Sequence, residues 1–395
     1  MLRLIHTADW QIGKPYGKVA DPRKRFLLQE ERLRAIERIA AVVRQRQARL
    51  VLVAGDLFDS PTVAPTAVLE VLEAIGAMAV PVLVIPGNHD HGAPGTVWHR
   101  DDFQREQARR APNLQLLLHR APWVREELVI LPCPLLRQAD SADPTAWIAS
   151  LDWSALPADR PRLVLAHGGI QGFGARDYDA DGEARGGAHN KLDLARLPDL
   201  EIDYIALGDW HNLKAVSAKA WYPGTPEPDR FDQGEGNQRG QVLQVELERG
   251  APPLVEAIPT GRLGWHQRSV RFHSDDDLER LAIELERLIG GRVSQDLLQL
   301  EVSGQLSLGA HQRYQALMAG LEDQLLRLKR KGHCDTAPRA EELAQLVERP
   351  GDPLIAGVAA QLQRRLDQQE QAGDEASARL TRLALGELFG FATRP

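Results

Sequence analysis

The chain has 395 residues, 43% of them apolar, which is enough for one large domain and a smaller one, each with its own core. Its net charge of -7 at pH 7 excludes a bulk basic surface as the main attractor of nucleic acid, so any such contact must be local or supported by bound cations. Cys133 and Cys334 are the only cysteines and neither lies in a C-x-x-C context, which excludes a disulfide framework and a thiolate zinc site and fits a reducing cytoplasm.

In chain order, a strand over 2–5 precedes Leu33, Ile36, Ala40 and Val43 at helical spacing, and a strand over 50–53 precedes Val68, Leu72 and Ile75 at the same spacing. Further strands read over 82–85, 114–118, 128–131, 163–165, 204–207 and 242–247. This alternation predicts an α/β fold, a sheet core flanked by helices, in a first domain of residues 1–262. Residues 250–264 carry three prolines and three glycines and read as a linker. A second, smaller α/β domain is expected over 265–395. It starts with a strand over 268–272, a helix marked by Leu278, Leu281, Leu285 and Leu288, and a strand over 298–302. A helix marked by Tyr314, Leu317, Leu321, Leu325 and Leu328 follows. Two amphipathic helices, marked by Ile355, Val358, Leu362 and Leu366 and by Leu380, Leu383 and Leu388, flank a polar break at Gly373 and Asp374. No segment reaches the ~20 apolar residues of a membrane span, so a soluble chain with no membrane partner is expected.

Five of the apolar runs end in residues able to bind a metal: Asp9, Asp56, Asn88 with His89, His167, and Asp209 with His211. In an open α/β sheet, ligands collect outside the carboxyl ends of the strands, so residues far apart in sequence converge on one site. Two divalent cations about 3.5–4 Å apart clamp a phosphoryl group, and a shared carboxylate holds them that close. Asp56, in A-G-D-L-F-D over 54–59, suits the bridging role. In P-G-N-H-D over 86–90, Asn88 ligates through its carbonyl oxygen, His89 faces the scissile phosphate, and Asp90 is expected to orient that ring. A single strand-end aspartate is more often an N-cap or turn residue, and Asp59 and Asp90 stand evenly between support for the ligands and simple turn chemistry. The number and order of the five sites favour a metal centre.

These motifs resemble the calcineurin-like metallophosphoesterases, whose pattern runs D-x-H, G-D, G-N-H-D or G-N-H-E, a lone H, and G-H-x-H. Within that superfamily, H-T-A-D over 6–9 and G-D-L-F-D look most like the SbcD-type DNA repair nucleases. The resemblance implies a first metal held by Asp9, Gln11, Asp56 and His211, a second held by Asp56, Asn88, His167 and Asp209, and His89 as the catalytic residue. Two positions depart from the pattern: Gln11 and Asp209 stand where histidines are expected. Both replacements are hard oxygen donors, which shifts the expected ions from zinc to manganese, with magnesium second.

Weaker signals surround these motifs. Residues 168–189 hold seven glycines with Arg176 and Arg185, which read as a phosphate-gripping loop or a solvated linker. Trp10 and Trp210 read first as buried packing and second as base-stacking platforms. Tyr222, Arg230 and Phe231 lie in a turn similar to one in SbcD-type nucleases. The expected function is metal-dependent phosphodiester hydrolysis by a single-strand DNA endonuclease in DNA repair, working with an ATPase partner or a second copy of itself. The alternatives are a small-molecule phosphodiesterase or phosphomonoesterase, and a catalytically silent scaffold for DNA or an ATPase.

Overall fold

The structure is a computed structural model and describes residues 1–170, 189–231 and 238–393. Two compact units make up the chain, Met1–Leu263 and Gly264–Pro395. Among the described residues no helix is long and apolar enough to cross a membrane.

The first unit begins with β1 (Leu2–Thr7) and α1 (Pro22–Arg46). Asp21 caps α1 by accepting from the N–H groups of Arg23 and Lys24, Pro22 has no N–H to leave unpaired, and Gln47 ends the helix in a left-handed conformation. The winding continues through β2 (Leu50–Ala54), α2 (Pro65–Gly76), β3 (Val82–Ile85), α3 (Asp101–Arg110) and β4 (Leu114–Leu116). Then come β5 (Trp123–Val124), β6 (Val129–Cys133), β7 (Arg162–His167), the short pair β8 (Gly169–Ile170) and β9 (Lys191–Leu192), β10 (Tyr204–Gly208), β11 (Lys214–Ala215) and β12 (Ala220–Tyr222). The unit closes with β13 (Gln241–Leu247) and β14 (Leu254–Pro259).

Among the described residues twelve of these strands form two six-stranded sheets rather than the single sheet expected, ordered β14-β13-β1-β2-β3-β4 and β11-β12-β10-β7-β6-β5, and β8 pairs with β9 apart from them. Leu4, Leu52, Leu83 and Val245 of the first sheet share a core with Ile130, Leu165, Tyr204 and Ala206 of the second, so the sheets face one another. On the outer face of the first sheet, Ile5, Val51, Val53 and Val84 pack under Ile36, Ile39, Leu72 and Ile75 of the helices. Strands buried on both faces read as unbroken apolar runs, which is why sequence pattern located them without assigning them to sheets. Each fully buried leucine, isoleucine or valine contributes about 1.5–3 kcal/mol. Between the sheets, buried His6 accepts from the Tyr204 hydroxyl through Nδ1 (2.9 Å) and donates to the Leu207 carbonyl through Nε2 (3.1 Å). Burial holds its pKa down to about 3, so the ring stays neutral and ties β1 to β10.

The linker expected over 250–264 is corrected in part. Leu254–Pro259 is a strand paired antiparallel with β13 along its whole length. Gly250, at φ 77°, and the two prolines at 252–253 make the turn before it. Only Ile258 of the strand is buried, as befits an edge strand, and its apolar signal is correspondingly weak.

In the second unit, β15 (Gly264–Phe272), β16 (Asp296–Leu306) and β17 (Arg327–Gly332) form a parallel sheet, with β18 (Asp335–Thr336) also on β16. Helices α4 (Asp276–Ile289) and α5 (Leu308–Gln324) cross between them and bury Leu281, Leu285, Tyr314 and Met318 against Phe272, Leu298, Leu300 and Val302. The α5 stripe stops at Leu321: Leu325 caps the helix and Leu328 belongs to β17, contrary to the helix expected through both. With one apolar residue in R-L-K-R-K-G, this edge strand carries almost no β signal. Helices α6 (Ala340–Val347), α7 (Pro353–Gln371) and α8 (Glu375–Thr393) pack on Leu308 as a satellite core.

Candidate metal centre

Strands β1, β2 and β3 of one sheet and β7 and β10 of the other carry the candidate ligands at or just beyond their carboxyl ends. Asp9, Gln11, Asp56 and Asp209 all leave their strands at positive φ (55°, 44°, 53° and 103°), a region aspartate enters more readily than most residues. The Asp9 N–H donates to Gly55 O (3.1 Å) and the Gln11 N–H to Asp56 O (2.9 Å), so the two loops lock together. Glycine is required where they meet their neighbours. A Cβ on Gly55 would lie 2.3 Å from His167 Nδ1, and one on Gly87 would lie 2.1 Å from Asp56 Oδ1. Beneath them the buried Arg32 guanidinium donates to Asp9 O (3.1 Å), Trp10 O (2.6 Å), Glu227 O (3.2 Å) and Thr225 Oγ1 (3.2 Å), fixing the carbonyls of the first loop.

Asp9, Asp56 and His167 are all buried and each offers a ligand atom within 4.8 Å of the others. His167 Nε2 lies 2.8 Å from Asn88 Oδ1, 3.6 Å from Asp56 Oδ2 and 3.8 Å from Asp209 Oδ1. Its Nδ1 donates to Ala54 O at 2.8 Å; because a carbonyl only accepts, Nε2 is the atom turned to the acidic set. The Asp209 N–H lies 3.2 Å from both Asp9 carboxylate oxygens.

Burial, with Asp56 and Asp209 close by, pushes the Asp9 carboxyl up to about 8 even though His167 pulls the other way. Burial alone would lower His167, but Asp56, Asp9 and Asp209 outweigh it and hold the imidazole up to about 9. Asp9 and His167 therefore retain protons at neutral pH, and a divalent cation is the charge that replaces them. This donor set, carboxylate oxygens with one imidazole and one amide oxygen, fits a hard divalent ion such as manganese or magnesium.

The Gln11 side is arranged differently. Lys14 Nζ donates to Gln11 Oε1 (2.9 Å) and lies 3.3 Å from Asp229 Oδ2, while Gln11 Nε2 is 3.3 Å from His211 Nε2. His211 Nδ1 is 3.0 Å from Asp229 Oδ2, and Arg230 Nη2 is 2.9 Å from the same ring nitrogen. Burial and then Arg230 hold His211 well below its ordinary pKa, so it is neutral. Asp229 stays ionised because Arg230, His211 and Lys14 outweigh the cost of burying it.

His89 stands beside the acidic set. Its backbone N–H donates to Asp56 Oδ1 (2.9 Å) and its Nδ1–H to Asp59 O (3.0 Å), with the Asp59 carboxylate 3.9 Å away. Burial opposes protonation of this ring, but Asp56 and Asp59 raise its pKa above the ordinary value. Asp90 does not orient it, which corrects the expectation. The Asp90 carboxylate accepts from Gly87 N (2.7 Å) and Phe58 N (3.1 Å), tying the Asn88 loop to the Asp56 loop, and burial with Asp56 nearby raises its pKa to about 7.

Of the flanking candidates, Trp10 is buried and donates to Thr7 Oγ1 (2.9 Å), and Lys214 Nζ lies 4.7 Å above the Trp210 ring. Tyr222 is buried with its hydroxyl on Gly168 O (2.7 Å), and Phe231 is buried, so both serve packing. Arg176 and Arg185 lie outside the described residues. Sequence reading passed over Lys14, Arg32 and Asp229. The one available signal was Asp229 standing next to Arg230 in P-D-R-F.

The metal-free protein is expected to lose stability as pH rises from about 6.5 to 9. His167 and Asp9 have folded pKa values raised to about 9 and about 8, so in this window the native state holds protons that the unfolded chain has released. His211, depressed by burial, acts with opposite sign, but only below its ordinary 6.5. Thermal melting in a chelator at pH 6.5 and pH 9 tests this, and saturating Mn2+ should remove the decline. A metal-free melting point that rises across the window would contradict the electrostatics above.

Buried carboxylates and imidazoles at the ends of strands from two facing sheets define a metal-dependent phosphoesterase. The chain belongs to the calcineurin-like phosphoesterase family, whose model matches residues 2–213. It is 24% identical to the SbcD component of the nuclease SbcCD of Escherichia coli (strain K12) over 289 residues, 65% of this chain and 68% of that protein. It is 34% identical to the SbcD component of the same nuclease of Bacillus subtilis (strain 168) over 96 residues, 23% of this chain and 22% of that protein. Solved structures similar to it include TT1561 of Thermus thermophilus (TM-score 0.39, 13% identity, 66% of this chain and 99% of that one). Another is GAP50, the anchor in the inner membrane complex of Plasmodium (TM-score 0.38, 13% identity, 66% of this chain and 84% of that one).

Proposed function

We propose that this chain is a divalent-cation-dependent nuclease that cuts DNA phosphodiester bonds, acting within single strands during DNA repair, with manganese as its preferred ion. The observation that carries the reading is His89, whose side chain is one third exposed (33%) while Asp56 and His167 beside it are buried. With Nδ1–H engaged by the Asp59 carbonyl, the remaining nitrogen Nε2 is the one that carries a transferable proton to a phosphate oxygen. Asp9, Asp56, Asn88, His167 and Asp209 would hold the divalent cation, which when bound would supply the Lewis-acid charge stabilisation that phosphodiester hydrolysis requires. Asp90, Arg32 and the two glycines fix the loops that present these groups. The likeness to two proteins named as subunits of a nuclease supports a nucleic-acid substrate and a companion subunit, for which an ATPase or a second copy is proposed. Residues 264–395 are proposed to select the substrate.

The test is cleavage of circular single-stranded DNA and of a small aromatic phosphodiester, each with Mn2+. Nicked circles from wild type and none from His89→Ala is the expected result. Turnover of the small ester with intact circles would replace the nuclease reading with that of a small-molecule phosphodiesterase.

A further inference from the structure

The two halves of the site are not equivalent. In the acidic half, buried Asp9, Asp56 and His167 offer ligand atoms within 4.8 Å of one another, with Asn88 and Asp209 beside His167. On the Gln11 half, Lys14, Gln11, His211 and Asp229 already satisfy one another in a closed ring. An ammonium only donates, so the Gln11 oxygen must face Lys14, and the amide N–H then points at His211 Nε2. His211 accepts there, and its Nδ1 lies 3.0 Å from Asp229 Oδ2 and 2.9 Å from Arg230 Nη2, while Asp229 also takes the Lys14 ammonium at 3.3 Å. Three of the four residues are nearly inaccessible, with Lys14 8%, Gln11 1% and Asp229 4% exposed. The atoms that would ligate an ion on this side, Gln11 Oε1 and His211 Nε2, are thus both engaged by the chain itself. Two fixed positive charges, Lys14 and Arg230, stand beside them.

We propose that Lys14 serves as an internal cation on the Gln11 side, so that the chain holds one divalent ion tightly in the acidic half and takes a second only weakly. The proposal rests on the metallophosphoesterase reading. Seating a second ion would turn the Gln11 oxygen and the His211 nitrogen away from their partners. It would also strand a buried ammonium beside a dication. The glutamine is what makes the arrangement work: a histidine at position 11 would offer Lys14 no carbonyl oxygen.

Mn2+ binding to the full chain, followed by equilibrium dialysis and by electron paramagnetic resonance, tests this without reading catalysis. Wild type should bind one ion, with the spectrum of an isolated Mn2+, and a second about 10- to 100-fold more weakly. Lys14→Met should bring the weaker affinity to within a few-fold of the stronger, with the spectrum of a coupled pair. Gln11→His, which removes the oxygen Lys14 holds, should shift the second affinity in the same direction. Two ions of equal affinity in wild type, or a second affinity unmoved in both folded variants, would overturn the proposal. No uptake at all would overturn it together with the metal centre itself. Absence of DNA cleavage with one tight ion still bound would sink only the nuclease reading.

Discussion

Replacing Asp9 with asparagine is expected to destroy hydrolysis and weaken Mn2+ binding by more than about 10- to 100-fold, the loss usual for residues that only support a ligand. The same change should make the metal-free protein harder to melt. Asparagine tolerates the φ of 55° that Asp9 adopts, and its side-chain oxygen can still accept from the Asp209 N–H. What it removes is a carboxyl group that burial, Asp56 and Asp209 hold up to about 8. A raised folded pKa means that the native state binds a proton the unfolded chain does not, at every pH between 3.8 and about 8. The resulting penalty grows with pH across that window and is constant above it. Variant and parent should therefore melt closely together at pH 5 and furthest apart at pH 8, with about 2–4 °C for each kcal/mol relieved. With Mn2+ the order should reverse. A metal-free parent at least as heat-stable as the variant at pH 8 would show that Asp9 is not the strained carboxylate described here. The exchange of stability for activity is typical of a functional cluster.

His89→Ala should lower kcat by about 10²- to 10⁴-fold, the usual contribution of a positioned acid or base, while leaving Mn2+ uptake and KM within a few-fold of wild type. The separation follows from where the ring stands. Asp9, Asp56 and His167 form the mutually close ligand set without it, and its own side-chain partner is the Asp59 carbonyl. If His89→Ala instead failed to take up the tight ion, His89 would belong to the ion's cradle rather than to the chemistry. His89→Gln gives a second reading with less loss of volume.

The family and the α/β class were legible because four of the five site segments couple a buried apolar run to a glycine and a metal-capable residue, a pairing that chance and turn chemistry rarely repeat. Asp56 with Gly55, and Asn88 with Gly87, show the physical basis: a Cβ at either glycine would collide with the site itself. The presence of two sheets was not legible, since Leu52 of one and Leu165 of the other look alike in sequence and meet only in the shared core. Charged partners were harder still. Lys14 and Asp229 are separated by more than half of the chain and follow no periodicity, yet they stand 3.3 Å apart. Strand β17 escaped because an edge strand rich in lysine and arginine resembles the end of a solvated helix.

The pairing of β1 bears on how the protein is made. Leu2 stands opposite Leu247, and Leu4 stands between Val245 on one side and Leu50 on the other. The strand leading to Asp9 is thus completed by residues translated about 240 positions later, a delay of roughly 10–50 s at ordinary ribosome speeds. Once β2 has emerged, the apolar strand β1 has one flank covered and the other open for the rest of that interval. A nascent chain in this state exposes an unpaired β edge and is a natural client for chaperones, and the metal centre cannot be assembled until β10 and the residues after it to His211 have emerged.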